Sequence, residues 1–182
     1  MAYNRLKREE VLLLVIDVQE RLVPAIDKKE VILRNIAILA QTAHKLAIPI
    51  LITEQYPKGL GTTVQELQEV LAEAKVLEKV TFSACNEELL TELEQVKRKD
   101  VIVVGTECHV CVFQTVRDLL NQGYRVILPS DAIGSRRELN YQNGLAMMKE
   151  LGAEIWNSES VFFDLLERAC TDEFRALAPL VK

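Results

Sequence analysis

The stretch Val11-Leu12-Leu13-Leu14-Val15-Ile16-Asp17 is an unbroken apolar run that stops on a carboxylate. A short run without polar alternation suits a strand buried on both faces, as in a parallel sheet covered by helices. Outward from it the same kind of segment recurs. Ile48-Pro49-Ile50-Leu51-Ile52-Thr53 comes next, then a weaker run at Lys75-Val76-Leu77. Val101-Ile102-Val103-Val104 ends on Gly105, Val126-Ile127-Leu128 leads to Asp131, and Glu154-Ile155-Trp156 closes the series.

The segments between these runs read as helices. Glu30 to Leu46 places Ile32, Leu33, Ile36, Leu39 and Leu46 on one stripe. Asn86 is a good N-cap ahead of Glu87 and Glu88, acids that the helix dipole favours in a first turn. A helix opening near Cys111 runs to Gln122 and stops at Gly123, and another runs from Glu138 to Leu151 and stops at Gly152. The tail from Val161 to Cys170 also reads as helical. Alternating strands and helices predict a three-layer α/β/α fold, one domain over residues 1–182, with a mainly parallel six-stranded sheet in a Rossmann-like strand order. In such sheets ligands sit beyond the carboxyl ends of the strands.

Composition narrows the class. The 182 residues suit one domain, and 49% hydrophobic with 27% charged residues is a globular balance. A net charge of −5 argues against a nucleic-acid partner, which calls for a basic face, and against a polybasic membrane anchor. No apolar run is long enough to span a bilayer. The stretch from Met1 to Glu10 lacks the apolar core of a signal peptide. The four cysteines therefore read as thiols in a reducing, cytoplasmic setting.

Three chemical groups converge on the predicted carboxyl edge. Asp17 closes the first strand, Lys79 follows the third, and Cys111 opens the helix after the fourth. A thiol at a helix N-terminus is expected to favour its thiolate, a nearby carboxylate can take its proton, and an ammonium can hold the resulting charge. Each residue also has a bland reading: Asp17 as a turn former, Lys79 as solvated surface, Cys111 as a small hydrophobe. Their joint placement is what points to a site.

The local motifs resemble the isochorismatase-like superfamily of cysteine hydrolases, which includes nicotinamidases and N-carbamoyl amidohydrolases. The resemblance covers nearly the whole chain. Leu14-Val15-Ile16-Asp17-Val18-Gln19 is similar to the first-strand motif, Glu78-Lys79-Val80-Thr81-Phe82-Ser83-Ala84 to the lysine motif, and Val104-Gly105-Thr106-Glu107-Cys108-His109-Val110-Cys111-Val112 to the nucleophile loop. Asp131-Ala132-Ile133-Gly134-Ser135 matches a fourth segment. Thr115 and Asp118, one and two turns beyond Cys111, single it out over Cys108. The resemblance implies a Cys111–Asp17–Lys79 triad, a thioester-type intermediate, and an oxyanion held by backbone N–H groups near Glu107 and Cys111. It also implies a non-proline cis peptide at Thr106–Glu107 and a homo-oligomer, dimer or higher. Gln19, Glu54, Gln55, Tyr56, Phe82 and His109 are the expected substrate contacts.

Two departures sharpen the expectation. Thr53-Glu54-Gln55-Tyr56-Pro57-Lys58-Gly59 stands where nicotinamidases carry an Asp-x-His metal motif, and His44 and His109 are the chain's two histidines. No metal and no other cofactor is therefore expected, and nicotinamidase activity is disfavoured. Isochorismatases proper lack the nucleophilic cysteine, so Cys111 argues against vinyl-ether cleavage. The stretch is most similar to the isochorismatase-domain-containing branch. The expectation is a metal-independent hydrolase of a small-molecule amide, carbamoyl or related bond. Its rivals are a dithiol redox protein using the C-x-x-C of Cys108 and Cys111, and a non-catalytic oligomeric binding protein on the same fold. A zinc site from Cys108, His109 and Cys111 is weaker, because one turn is too tight for three ligands.

Overall fold

The computed structural model describes residues 5–182. Residues 1–4, part of the stretch read for a signal peptide and of the 1–182 domain, lie outside it. The chain runs β1 (Val11–Ile16), α1 (Lys29–Lys45), β2 (Ile50–Gln55), the short α2 (Pro57–Leu60) and α3 (Gln65–Gln68), β3 (Lys75–Lys79) and α4 (Glu87–Val96). Then follow β4 (Asp100–Thr106), a π-helical turn (Cys108–Val112), α5 (Phe113–Asn121), β5 (Arg125–Pro129) and the two-residue β6 (Ile133–Gly134). The rest is α6 (Glu138–Glu150), β7 (Glu154–Trp156), α7 (Ser158–Leu166) and α8 (Asp172–Leu177).

The strands pair in parallel in the order β3-β2-β1-β4-β5-β7, so the direction of winding reverses between β1 and β4. The expected order is therefore present, with β6 as an added strand beside the end of β4. Every residue of β1 and of β4 is buried, as continuous apolar runs covered on both faces must be. Leu13, Val15, Ile102 and Val104 pack on the side that holds α1 and α7. Leu12, Leu14, Ile16, Val101 and Val103 pack on the side that holds α4, α5 and α6. The outer strand β3 exposes Lys75, Val76 and Glu78, and charge of this kind blunts an open edge.

The differences from expectation are local. The second strand starts two residues later and runs through Gln55, so Glu54 and Gln55 are strand residues rather than loop. The tail helix ends at Leu166, where Glu167 takes a positive φ of 64°, so residues 167–170 are not part of it. Val161, Phe162, Leu165 and Leu166 are core, while Phe163 is exposed. The helix after the fourth strand opens as a π-turn that already contains both Cys108 and Cys111.

Gly105 holds the edge together. It sits opposite Ile16 with φ +115°, and a Cβ there would lie 2.1 Å from the Ile16 carbonyl oxygen. Only glycine lets β4 approach β1 where both strands deliver their terminal residues. Gly105→Ala is expected to cost at least about 2 kcal/mol, from the forbidden φ and the displaced strand together. A thermal melt showing a midpoint within 2 °C of wild type would contradict it, since about 5 °C or more is expected for a domain of this size.

Candidate active site

Asp17 follows β1 in the left-handed region, at φ 50°, a conformation that Asp tolerates better than bulkier side chains. Its backbone is clamped on both sides: its N–H donates to the Thr53 carbonyl at 3.1 Å, and its carbonyl accepts from Thr106 Oγ1 at 2.7 Å. The carboxylate is held as firmly, with Thr53 Oγ1 donating to Oδ1 and Lys79 Nζ to Oδ2, each at 2.7 Å.

Lys79 is the last residue of β3, and its side chain is only 2% exposed. Besides Asp17, its ammonium donates to Gln55 Oε1 at 2.8 Å and to the carbonyls of Phe82 and Thr81 at 3.1 and 3.3 Å. A charge so buried persists only when paired and surrounded by acceptors. Cys111, 6% exposed on the π-turn, lies close enough to both members of this pair for each to act on its thiol electrostatically. Three residues far apart in sequence thus meet at one buried point.

Electrostatics there differ from expectation. Burial pushes the Cys111 thiol up to about 12, the Asp17 carboxylate adds to this, and Lys79 only partly opposes it. Desolvation thus acts against the thiolate that the helix terminus favours. Burial also raises the Asp17 carboxyl above its usual range, against the pull of Lys79, Thr53 and Cys111. A proton poised between a thiol and a carboxyl, both shifted upward, marks a candidate acid–base pair.

Surrounding contacts fix the nucleophile turn. Thr115 Oγ1 donates to the Cys111 carbonyl at 2.6 Å and accepts from the Ala84 N–H at 2.9 Å, and Ser83 Oγ donates to Asp118 Oδ2 at 2.7 Å. Thr115 and Asp118 therefore tie α5 to the loop that follows Lys79. Cys108 points elsewhere: its Sγ donates to the Tyr141 carbonyl at 3.4 Å, beneath Gly144, where an added Cβ would lie 2.9 Å from the sulfur. The two thiols of the C-x-x-C thus face different surroundings. The peptide bond between Thr106 and Glu107 is cis. The Glu107 carboxylate accepts from the Arg136 backbone N–H and Nε at 3.1 and 3.0 Å.

Several of the expected substrate contacts make structural hydrogen bonds. Gln19 is fully buried, donating to the carbonyls of Gln55 and Gly61 at 3.0 and 2.7 Å and accepting from the Gln55 N–H at 2.8 Å. Glu54 Oε1 accepts from the Thr63 N–H and Oγ1 at 2.7 and 2.8 Å, so it braces the next loop rather than lining a pocket. The reach of β2 to Gln55 sets the faces of its last residues: successive side chains alternate, sending Thr53 and Gln55 to the catalytic side and Glu54 away. Gln55 reaches Lys79 and, through Nε2, the Val80 carbonyl at 3.0 Å. His109 is engaged by Ser135 Oγ at Nδ1 (3.1 Å) and by Asn140 Nδ2 at Nε2 (3.2 Å). Tyr56 and Phe82 are exposed beside the site. Thr53 was missed as a site residue, although it is the first polar residue after Ile50-Leu51-Ile52 and could have been noticed as such.

A cavity of about 200 Å³ lies between the start of α1 and the β6–α6 connection, lined by residues including Lys28, Ile32, Ile133, Ser135 and Tyr141, and by none of the triad. Ser135 alone links it to His109. Among the described residues, no three His, Cys, Asp or Glu side chains cluster as a metal site, and no helix is long and apolar enough to cross a membrane.

Comparison with known proteins adds a family frame. Residues 11–160 match the isochorismatase domain. Isochorismatase family protein 1B of Dictyostelium discoideum is 34% identical, over 93% of this chain and 85% of its own. The secreted isochorismatase effector Isc1 of Phytophthora sojae is 35% identical, over 98% and 88%. The MAR1 ribonuclease structure from Caenorhabditis elegans superposes with a TM-score of 0.93 at 35% identity, covering 98% of this chain and 92% of that one. The YcaC gene product of Escherichia coli, described as an octameric hydrolase of unknown specificity, has a TM-score of 0.91 at 22% identity, over 99% and 90%, which speaks to the fold alone.

The buried ion pair makes a stability prediction. Lys79→Met strands the Asp17 carboxylate and is expected to cost about 3–5 kcal/mol near neutral pH, whereas Asp17→Leu with Lys79→Met recovers most of that loss. In the single variant the folded-state pKa of Asp17 rises further above its unfolded value, so folding takes up a proton. The stability is then highest in acid and falls as pH rises through the raised value. Urea melts of both variants from pH 4 to 8 measure this; a double variant no more stable than the single one refutes it.

Proposed function

The chain belongs to the isochorismatase family, and from that premise we propose that it is a metal-independent cysteine hydrolase of a small-molecule amide, carbamoyl or related acyl bond. The observation that carries the proposal is the buried ion pair of Asp17 and Lys79 at 2.7 Å, with Cys111 near enough to interact with both. In the proposed cycle Asp17 takes the Cys111 proton as the sulfur bonds to the carbonyl carbon, and Lys79 holds the charge of the pair. Backbone N–H groups of the Glu107–Cys111 turn receive the oxyanion. As the tetrahedral adduct collapses, the C–N bond breaks and the protonated Asp17 gives its proton to the leaving nitrogen. Asp17 then takes a proton from water, whose oxygen displaces the sulfur from the thioester. The acid leaves, and the proton returns to Cys111.

The upward shift at Cys111 suits this reading, because its proton then passes to Asp17 as the sulfur attacks. A dithiol redox role fits less well, since Cys108 is turned toward α6 while Cys111 faces the ion pair. Ribonuclease activity, named for the Caenorhabditis relative, is the competing substrate class. The net charge of −5 disfavours a polyanion here. A reducing, cytoplasmic setting is part of the proposal, as it keeps Cys111 a thiol. So is a homo-oligomer, for which the exposed Val80, Phe82 and Leu139 near the rim offer apolar surface.

The test is a screen of wild type and Cys111→Ala over small amides, ureas, carbamoyl compounds and a short RNA, with and without EDTA. Turnover of a small acyl substrate, lost in Cys111→Ala and untouched by EDTA, is expected; equal turnover by the mutant ends the covalent mechanism. On the same substrate Asp17→Asn should lower kcat/KM roughly 10²- to 10⁴-fold. The acid limb of the wild-type profile should lie above the ordinary carboxylate range of about 4, in keeping with the upward shift at Asp17.

A further inference from the structure

The carboxylate of Asp17 has two oxygens, and each has its own buried donor. Lys79 takes Oδ2 and Thr53 takes Oδ1, both at 2.7 Å. The ammonium alone would leave the carboxylate plane free to turn, because the terminal torsion of Asp is broad. Thr53 removes that freedom. It is 1% exposed, its β-branched side chain is stiff at χ1, and its single hydroxyl proton is directed at Asp17. The two residues are joined a second time through the backbone, where the Asp17 N–H meets the Thr53 carbonyl at 3.1 Å. The register explains the pairing, since Thr53 stands opposite Ile16, the residue before Asp17.

We propose that Thr53 is a positioning residue of this site: its hydroxyl holds the Asp17 carboxylate in the plane from which it takes the Cys111 proton. The inference rests on the hydrolase reading above and deepens it. The charged and titratable groups that face Asp17 are Lys79, from the end of β3, and Cys111, from the π-turn. Thr53 is uncharged, so removing its hydroxyl leaves the charge count of the site unchanged while deleting one donor to the ionised carboxylate. Loss of such a donor disfavours the ionised form. The effect therefore has a signature in pH that loose packing does not produce.

The experiment uses iodoacetamide on the full chain and needs no substrate. Alkylation rates at Cys111 are read by peptide mass spectrometry between pH 5 and 9, with the exposed Cys170 as an internal standard. Wild type, Asp17→Asn, Thr53→Val, Thr53→Ala and Thr53→Ser are compared. Thr53→Val should move the acid limb of the Cys111 rate up by about one to two pH units, the shift expected for one hydrogen bond to a charged acceptor, so that it reacts at least about 10-fold more slowly at pH values below that limb. Thr53→Ala should do the same, and serves if the valine variant does not fold. Thr53→Ser keeps the hydroxyl and should restore the acid limb. If the wild-type rate depends on Asp17 but Val and Ala titrate as wild type does, the role given to Thr53 is wrong and the hydrolase reading stands. A wild-type rate indifferent to Asp17→Asn overturns both.

Discussion

The buried ion pair of Asp17 with Lys79 lies at the carboxyl edge of the sheet, and the organisation of that edge follows from keeping it satisfied. Two opposite charges removed from water are costly unless every remaining donor and acceptor is used. The ammonium finds Gln55 and two backbone carbonyls besides Asp17, and the carboxylate finds Thr53 and Cys111. To supply these partners, β2 must extend to Gln55 and the loop after Lys79 must fold back over it. Gly105 must also let β4 lie close against β1. The geometry of the site and the stability of the edge are thus one problem.

The same packing decides the chemistry. Burial pushes the Cys111 thiol up and raises the carboxyl next to it. The two groups compete for one proton at a buried point, an arrangement suited to proton transfer coupled to attack. It also separates the two cysteines of the C-x-x-C. They sit one turn apart, but one looks to α6 and the other to the ion pair.

Polar residues near the edge divide into those that face the pair and those that brace the scaffold. Thr53 and Gln55 belong to the first group, while Gln19 and Glu54 belong to the second. Neighbours in sequence fall into opposite groups because a strand sends alternate side chains to opposite faces. Thr115 and Asp118 connect the groups, lacing the nucleophile helix to the lysine loop.

The sequence by itself determined the layered fold and its parallel strands. Continuous apolar runs such as Val11–Ile16 and Val101–Val104 have few physical alternatives to doubly covered parallel strands. It also marked Asp17, Lys79 and Cys111, since strand ends and helix starts are legible from where apolar runs stop. What only the tertiary structure decided was how each polar side chain is spent. One dimension does not show that β2 carries on past Thr53, so the bracing of the next loop by Glu54 was not foreseen and Thr53 went unnoticed. Nor does it show how deeply Cys111 is buried, and desolvation is a property of everything packed around a group rather than of its neighbours along the chain.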